Sequence, residues 1–319
     1  MTAQNKKAED DYYCVSLPPS EWRHIDRWLG DNVSLTSVVL TELNKIQKTY
    51  EKGKRSAVRI GIASIDTMIG GLHPGELLYV GSAEERYNFA VGLNIIHAAG
   101  MEGNKKVLVF NAGRGQYSYA RSLISLCTGI EESSLQNAQS LTGEELEQVE
   151  TVFAALQLSN ISIISTPNIS VEEICNKMKA LRVQDYPDFI LIDNLSFLTM
   201  QEPCTNRSEE LQKITEKLWS IAKDSRIPIV LTGSLSKRRM EMEGYRPTAA
   251  DLPEERMLKF LDKIVTVHGN GKCKDRLYIT VIKNPDGTYG YRKIKYDPAS
   301  NRLIELLIQG QNKSSYKSN

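Results

Sequence analysis

Nowhere in its 319 residues does the chain hold about 18 consecutive apolar side chains, the length a helix needs to cross a bilayer. A helical membrane span is therefore not expected. The opening MTAQNKKAEDDYY also lacks the apolar stretch of a signal peptide, so a soluble, cytoplasmic protein is expected. Cysteine is sparse and scattered: Cys14, Cys127, Cys175, Cys204 and Cys273 have neither zinc-ligand spacing nor the density of a disulfide framework. Reduced structural thiols are the expectation. His24, His73, His97 and His268 form no cluster, so no metal site is expected. A net charge of +1 gives no overall attraction to nucleic acid, although Lys263 to Asn319 carries eleven Lys/Arg against four Asp/Glu.

What is present is enough apolar residue, 41%, to furnish the core of one large domain or two small ones. Leu35, Val39, Leu43, Ile46 and Tyr50 recur on one face of a helical pattern, with Ser34 as N-cap and Gly53 as stop. An apolar stripe on such a helix needs a surface to cover it, so these five residues are candidate interface residues. Strand-like runs then alternate with helical stretches: LLYV at 77–80, VLVF at 107–110, ISII at 161–164, FILID at 189–193 and IPIVLT at 227–232. Alternation of this kind predicts an α/β fold, a mostly parallel sheet with helices on both faces. Beyond Lys263 the runs IVTV, LYITVIK, YRKIKY and RLIEL follow one another without helices, which predicts antiparallel C-terminal strands. The expected domains are a tail with a short helical segment at 1–33, the amphipathic helix at 34–53, the α/β domain at 54–308 and a tail at 309–319.

Between LLYV and the next helical pattern lies GSAEERYNFAVGLNI, residues 81–95. A buried strand turning into a helix is the setting of a phosphate-binding loop, whose glycines, lysine and Ser/Thr hold a nucleotide triphosphate. The frame is present without those residues.

The segment GIASIDTMIGGLHPGELLYV (61–80) resembles the entry to the motor domain of DnaB-type replicative helicases, which have a RecA-like fold. FILIDNLSFL (189–198) is similar to the Walker B strand of that family, and RSEELQKITEKLWSIAKDSRIPIVLTGSLSKR (207–238) to its following helix and strand. IKNPDGTYG (282–290) stands where the family has a K-x-R-x-G hairpin, and the helix at 34–52 resembles the end of the linker before the motor. The resemblance covers roughly 35–308 and lacks the N-terminal helical domain.

With Gly75-Glu76-Leu77 and Leu93-Asn94 in register, the resemblance places the loop glycine at Tyr87, its lysine at Asn88 and its threonine at Phe89. A side chain at 87 blocks close approach of the backbone, while Asn88 and Phe89 give neither the point charge nor the metal-binding hydroxyl. Glu84 and Glu85 add carboxylates, each repelling a phosphate charge by about 3 kcal/mol at about 6 Å and an effective dielectric near 20. Arg86 offsets part of this. The resemblance further places the water-activating glutamate at Gly113, the polar sensor at Ser234 and the arginine finger at Pro285, with Lys283 kept two residues earlier. Asp193, the Walker B carboxylate, survives. The degenerate nucleotide pocket thus comprises Gly81, Ser82, Glu84, Glu85, Arg86, Tyr87, Asn88, Phe89, Asp193, Ser234 and Lys283, with no catalytic residue and no cofactor expected.

These changes imply a DnaB-like chain that no longer hydrolyses ATP and serves as a binding or regulatory component in DNA replication or mobile DNA. Two alternatives stand beside this expectation. One is a working helicase using ATP and magnesium, with Arg86 or Lys283 replacing the lysine, and the other is an adaptor that binds only protein. The family's DNA-facing loops correspond to 235–259, where Lys237, Arg238, Arg239 and Arg256 are candidate contacts to single-stranded DNA. Glu241, Glu243, Asp251, Glu254 and Glu255 offset them. Expected partners are single-stranded DNA, an intact helicase or another replication protein, and further copies in a homo- or hetero-oligomer.

Overall fold

A computed structural model describes residues 35–52, 57–236, 245–269, 275–285 and 287–305, with the backbone alone at 45–52, 64 and 183. The chain divides into two units, residues 1–55 and 56–319. The described part of the first is one helix, α1 (Leu35–Lys52). The expected N-cap Ser34 and stop Gly53 lie outside the described residues.

The second unit is built on nine strands: β1 (Leu77–Ser82), β2 (Val107–Asn111), β3 (Ile161–Ser165), β4 (Phe189–Asp193), β5 (Ile229–Ser234), β6 (Lys263–Gly269), β7 (Arg276–Lys283), β8 (Gly290–Asp297) and β9 (Arg302–Glu305). They form one sheet in the order β3-β2-β4-β5-β1-β6-β7-β8-β9. Strands up to β6 pair in parallel, and β7, β8 and β9 are antiparallel additions. Around the sheet lie α2 (Ala63–Ile69), α3 (Glu85–Ile96), α4 (Gln116–Thr128), α5 (Glu132–Gln136), α6 (Gly143–Leu158), α7 (Val171–Ala180) and α8 (Arg207–Ser225). The α/β architecture with an antiparallel end is the one expected from the pattern of apolar runs.

β1, β2 and β4 are buried along their whole length, as strands covered on both faces must be. Because successive side chains point to opposite faces, neighbours in one strand enter different cores. Leu78, Val80, Val109 and Leu191 pack with Phe89 and Leu93 of α3 and with Tyr119 and Leu123 of α4. Tyr79, Phe110, Ile190 and Ile192 pack instead with Ile174 of α7 and with Ile214 and Leu218 of α8. Capping boxes at Thr142 and Ser170 start α6 and α7, each worth about 1 kcal/mol. Glu84, the residue that precedes α3, makes no side-chain capping hydrogen bond among the described residues.

The parallel register brings Ser82 of β1 beside Ser234 of β5, and Asn111 of β2 beside Asp193 of β4. These are the carboxyl ends of the strands, where open α/β sheets hold their ligands.

Candidate functional site

β1 delivers the chain to Ser82, and only Ala83 and Glu84 separate it from α3. The Ser82 hydroxyl accepts from the Glu84 amide at 3.1 Å. A Cβ at Gly81 would come within 2.8 Å of Leu235 and Tyr79, so the strand end itself is tightly packed. Residues 85–89 are therefore helical, and their side chains point where a helix directs them rather than around an open loop.

Asn88 is buried, and its Nδ2 donates to the Gly233 carbonyl of β5 at 2.7 Å. Its Oδ1 has no partner among the described residues. Phe89 meets Tyr119 edge-on, with ring centroids 5.2 Å apart, and the Arg114 guanidinium lies 3.8 Å above the Phe89 ring. Tyr87 packs edge-on against Tyr296 at 5.4 Å and accepts a hydrogen bond from Arg86 at 3.0 Å. Both arginines here are matched by carboxylates: Arg86 with Glu84 at 2.5 Å, and Arg114 with Glu85 at 3.6 Å. Arg86, Phe89, Arg114 and Tyr296 contribute to the wall of a cleft that also meets Glu131, Glu132 and Asn301.

Asp193 ends β4, buried, with Oδ1 accepting from the Thr232 hydroxyl at 2.9 Å. Burial pushes its carboxyl above the usual range, against the Thr232 hydrogen bond and the Arg114 charge. The Tyr119 phenol is raised well above its ordinary value, by burial and then by the Asp193 charge, and among the described residues its hydroxyl has no partner. Gly113 is exposed, and a Cβ there would lie 2.4 Å from the Phe197 ring, so a larger residue requires that ring to move. Phe197 is held by a short turn whose Asn194 side chain accepts from the Ser196 amide at 2.8 Å.

Ser234 is exposed, 3.1 Å from the Ser196 hydroxyl. The Lys283 ammonium donates to the Leu258 and Leu261 carbonyls at 2.7 and 2.5 Å, and burial lowers its pKa. It is committed to those carbonyls. Arg256 is exposed and paired with Glu254 at 2.8 Å, whereas Lys237, Arg238 and Arg239 lie outside the described residues. On α1, Leu35, Val39 and Leu43 are 78%, 47% and 49% exposed, and Val38 and Leu40, which the narrower sequence stripe omitted, are exposed as well. The side chains of Ile46 and Tyr50 lie outside the described residues. Among the described residues no group of His, Cys, Asp and Glu is arranged to hold a metal ion, and no helix is long and apolar enough to cross a membrane.

Residues 57–305 match the family model of the DnaB-like helicase C-terminal domain. The chain belongs to that family. It is 22% identical over 282 residues to the replicative DNA helicase DnaC of Bacillus subtilis, covering 86% of this chain and 62% of that protein. The fold matches a solved ATPase domain with a TM-score of 0.77 and 17% identity, over 86% of this chain and all of that one. It also matches a DnaB-like replicative helicase described with its primase interactions, with a TM-score of 0.73 and 18% identity over 83% of this chain and 67% of that one.

Within this DnaB-like domain, the side chains at the strand ends do not fit a magnesium nucleotide held in the manner of a phosphate loop. The strand-to-helix connection has no lysine, and Phe89 and Tyr87, which the sequence resemblance matches to the loop's threonine and glycine, are buried rings. Tyr119, Arg114, Tyr296 and Thr232 complete the arrangement and were not singled out from the sequence. No spacing marks them, since each is brought in by a different element.

Proposed function

We propose that this DnaB-like domain does not hydrolyse ATP and acts as a binding or regulatory component in DNA replication or on mobile DNA. The observation that carries this reading is the Phe89 ring, buried between Tyr119 and Arg114 at the position where the family's loop presents its metal-binding hydroxyl. Asn88, committed to Gly233, and Gly113, beside Phe197, support it from separate elements. Its proposed partners are single-stranded DNA and an intact helicase of the same family or another replication protein. The exposed apolar residues of α1 favour a homo- or hetero-oligomer, in the cytoplasm.

The test is turnover by purified protein with magnesium, ATP and single-stranded DNA. No hydrolysis above background is expected, and ATP is expected to leave the melting temperature unchanged. A specific ligand at 100 times its Kd would instead stabilise the fold by about 2.7 kcal/mol. Hydrolysis that disappears with Asp193→Asn would overturn the reading and identify a working motor.

A further inference from the structure

We propose that the outer face of β6, β7 and β8 is a platform for single-stranded nucleic acid, with Tyr278 and Tyr291 stacking bases and Lys293, Lys295 and Arg246 holding phosphates. The inference extends the single-strand reading above and does not depend on the loss of hydrolysis.

The placement follows from register. In an antiparallel sheet directly paired residues share a face, and here His268 pairs with Tyr278, Tyr278 with Lys293, and Thr280 with Tyr291. Alternation along β8 then puts Tyr291, Lys293 and Lys295 on that same face, while Ile294 and Tyr296 turn into the core. The row reaches a carboxylate only at the strand end, where Asp297 accepts from the Ala299 amide and the Ser300 hydroxyl at 3.1 and 2.5 Å. Cations interleaved with aromatics, with no carboxylate between them among the described residues, distinguish this face from an ordinary solvated sheet surface, which mixes both signs.

The rings are organised in advance. His268 lies nearly parallel to Tyr278, with centroids 5.4 Å apart at 17°, and supports it from within the sheet. Tyr278 and Tyr291 are 6.0 Å apart on adjacent strands. The Lys293 ammonium is 5.6 Å from the Tyr278 ring centre and the Arg246 guanidinium 4.0 Å from that of Tyr291. A base stacking on either ring replaces an exposed cation–π contact, and the displaced cation stays within reach of the adjoining phosphate. Sheet faces with exposed aromatics stack unpaired bases in this way, whereas a duplex keeps its π-faces covered. An acidic protein would satisfy the cations but has no need of two ordered rings.

The contrast with Arg256 is informative. Arg246 and Arg256 both lie in the segment matched to the family's DNA-facing loops, and there Arg256 is paired with Glu254 at 2.8 Å. On the sheet face Lys293 and Arg246 are held against rings instead.

The experiment measures fluorescence anisotropy of a labelled oligothymidylate with the full chain across a salt series. Tyr278→Ala and Tyr291→Ala are each expected to weaken binding by about 5- to 150-fold, with Tyr→Phe at either position retaining affinity because the ring remains. Lys293→Ala with Lys295→Ala is expected to reduce the slope of log affinity against log salt by about 0.7 for each phosphate no longer neutralised. Should an alanine variant fail to fold, the lysine pair decides, and an unchanged slope overturns the site. Binding that ignores both tyrosines but vanishes when Lys237, Arg238 and Arg239 are changed to Ala overturns this platform and leaves the single-strand reading standing. No binding by the wild-type chain overturns both. If the tyrosine variants change the particle mass in light scattering and leave oligonucleotide affinity intact, the face belongs to a protein partner and the proposal fails.

Discussion

Phe89 separates a filled site from an altered but open one, and truncating it provides a direct measurement. The ring is 4% exposed, edge-on to Tyr119 and capped by Arg114. Replacing a buried Phe by Ala costs about 3–5 kcal/mol, of which the aromatic pair itself accounts for about 0.5–1.5 kcal/mol. In a domain near 250 residues each kcal/mol moves the melting temperature by about 2–4 °C, so Phe89→Ala should lower it by about 6–20 °C. Phe89→Thr, which restores the residue type of the phosphate loop, removes the same ring and should cost about as much. Thermal and urea melts followed by far-ultraviolet circular dichroism give both values. A double-mutant cycle with Tyr119→Leu should return a coupling of about 0.5–1.5 kcal/mol. If Phe89→Thr leaves the midpoint unchanged, the ring is dispensable to the core and the argument for a filled site fails.

Two further outcomes follow from other parts of the molecule. Burial, aided by the Arg246 charge, lowers the His268 pKa to about 4, so the unfolded chain takes up a proton that the folded one refuses. This stability is fully present above pH about 6.5 and is lost as pH falls from there toward about 4, amounting to up to about 3 kcal/mol. Urea melts of His268→Gln should show a flatter acid limb than wild type, and superimposable slopes would refute the assignment. The exposed apolar residues of α1 should support association: light scattering of the full chain should give an oligomer that disappears with Leu35→Glu, Val39→Glu and Leu43→Glu together. A single-chain mass before and after substitution would show that no partner copy covers this helix.

Most of the sheet was legible because its strands alternate with helical periods and end at turn residues. FILID at 189–193 is β4 without adjustment, since a fully apolar run ending in a carboxylate matches a buried strand opening onto a strand-end crevice. The run starting at Ile227 is displaced: β5 begins at Ile229, because Pro228 has no amide hydrogen to donate and the Ile229 amide donates to the Glu76 carbonyl. At the site, sequence identified the residues that differ from the family's loop but not the ones that replace their contacts. Tyr119 comes from α4, Arg114 from the turn before it and Phe197 from the turn after β4, and no pattern in one segment announces a partner in another. Lys283 illustrates the same limit. Its position suggests a substitute for the missing lysine, whereas its ammonium is committed to the carbonyls at 258 and 261.

The side chains at the strand ends are packed against one another, so each constrains its neighbours. Phe89 occupies space beside Tyr119, whose phenol is raised by its own burial and then by the Asp193 charge, while burial pushes the Asp193 carboxyl up. Arg114 covers Phe89 and balances Glu85, so a carboxylate that would repel a phosphate has an internal partner instead. Phe197 lies beside Gly113, where a longer side chain would displace the ring. Reversal of any one position therefore meets a neighbour adapted to the present residue: a glutamate at 113 meets Phe197, and a lysine at 88 loses the Gly233 hydrogen bond and places an ammonium where Asn88 is now buried. Neighbouring sites coupled in this manner are not additive. A change at 88, 89 or 113 therefore bears on residues of α3, α4 and the turns after β2 and β4 together.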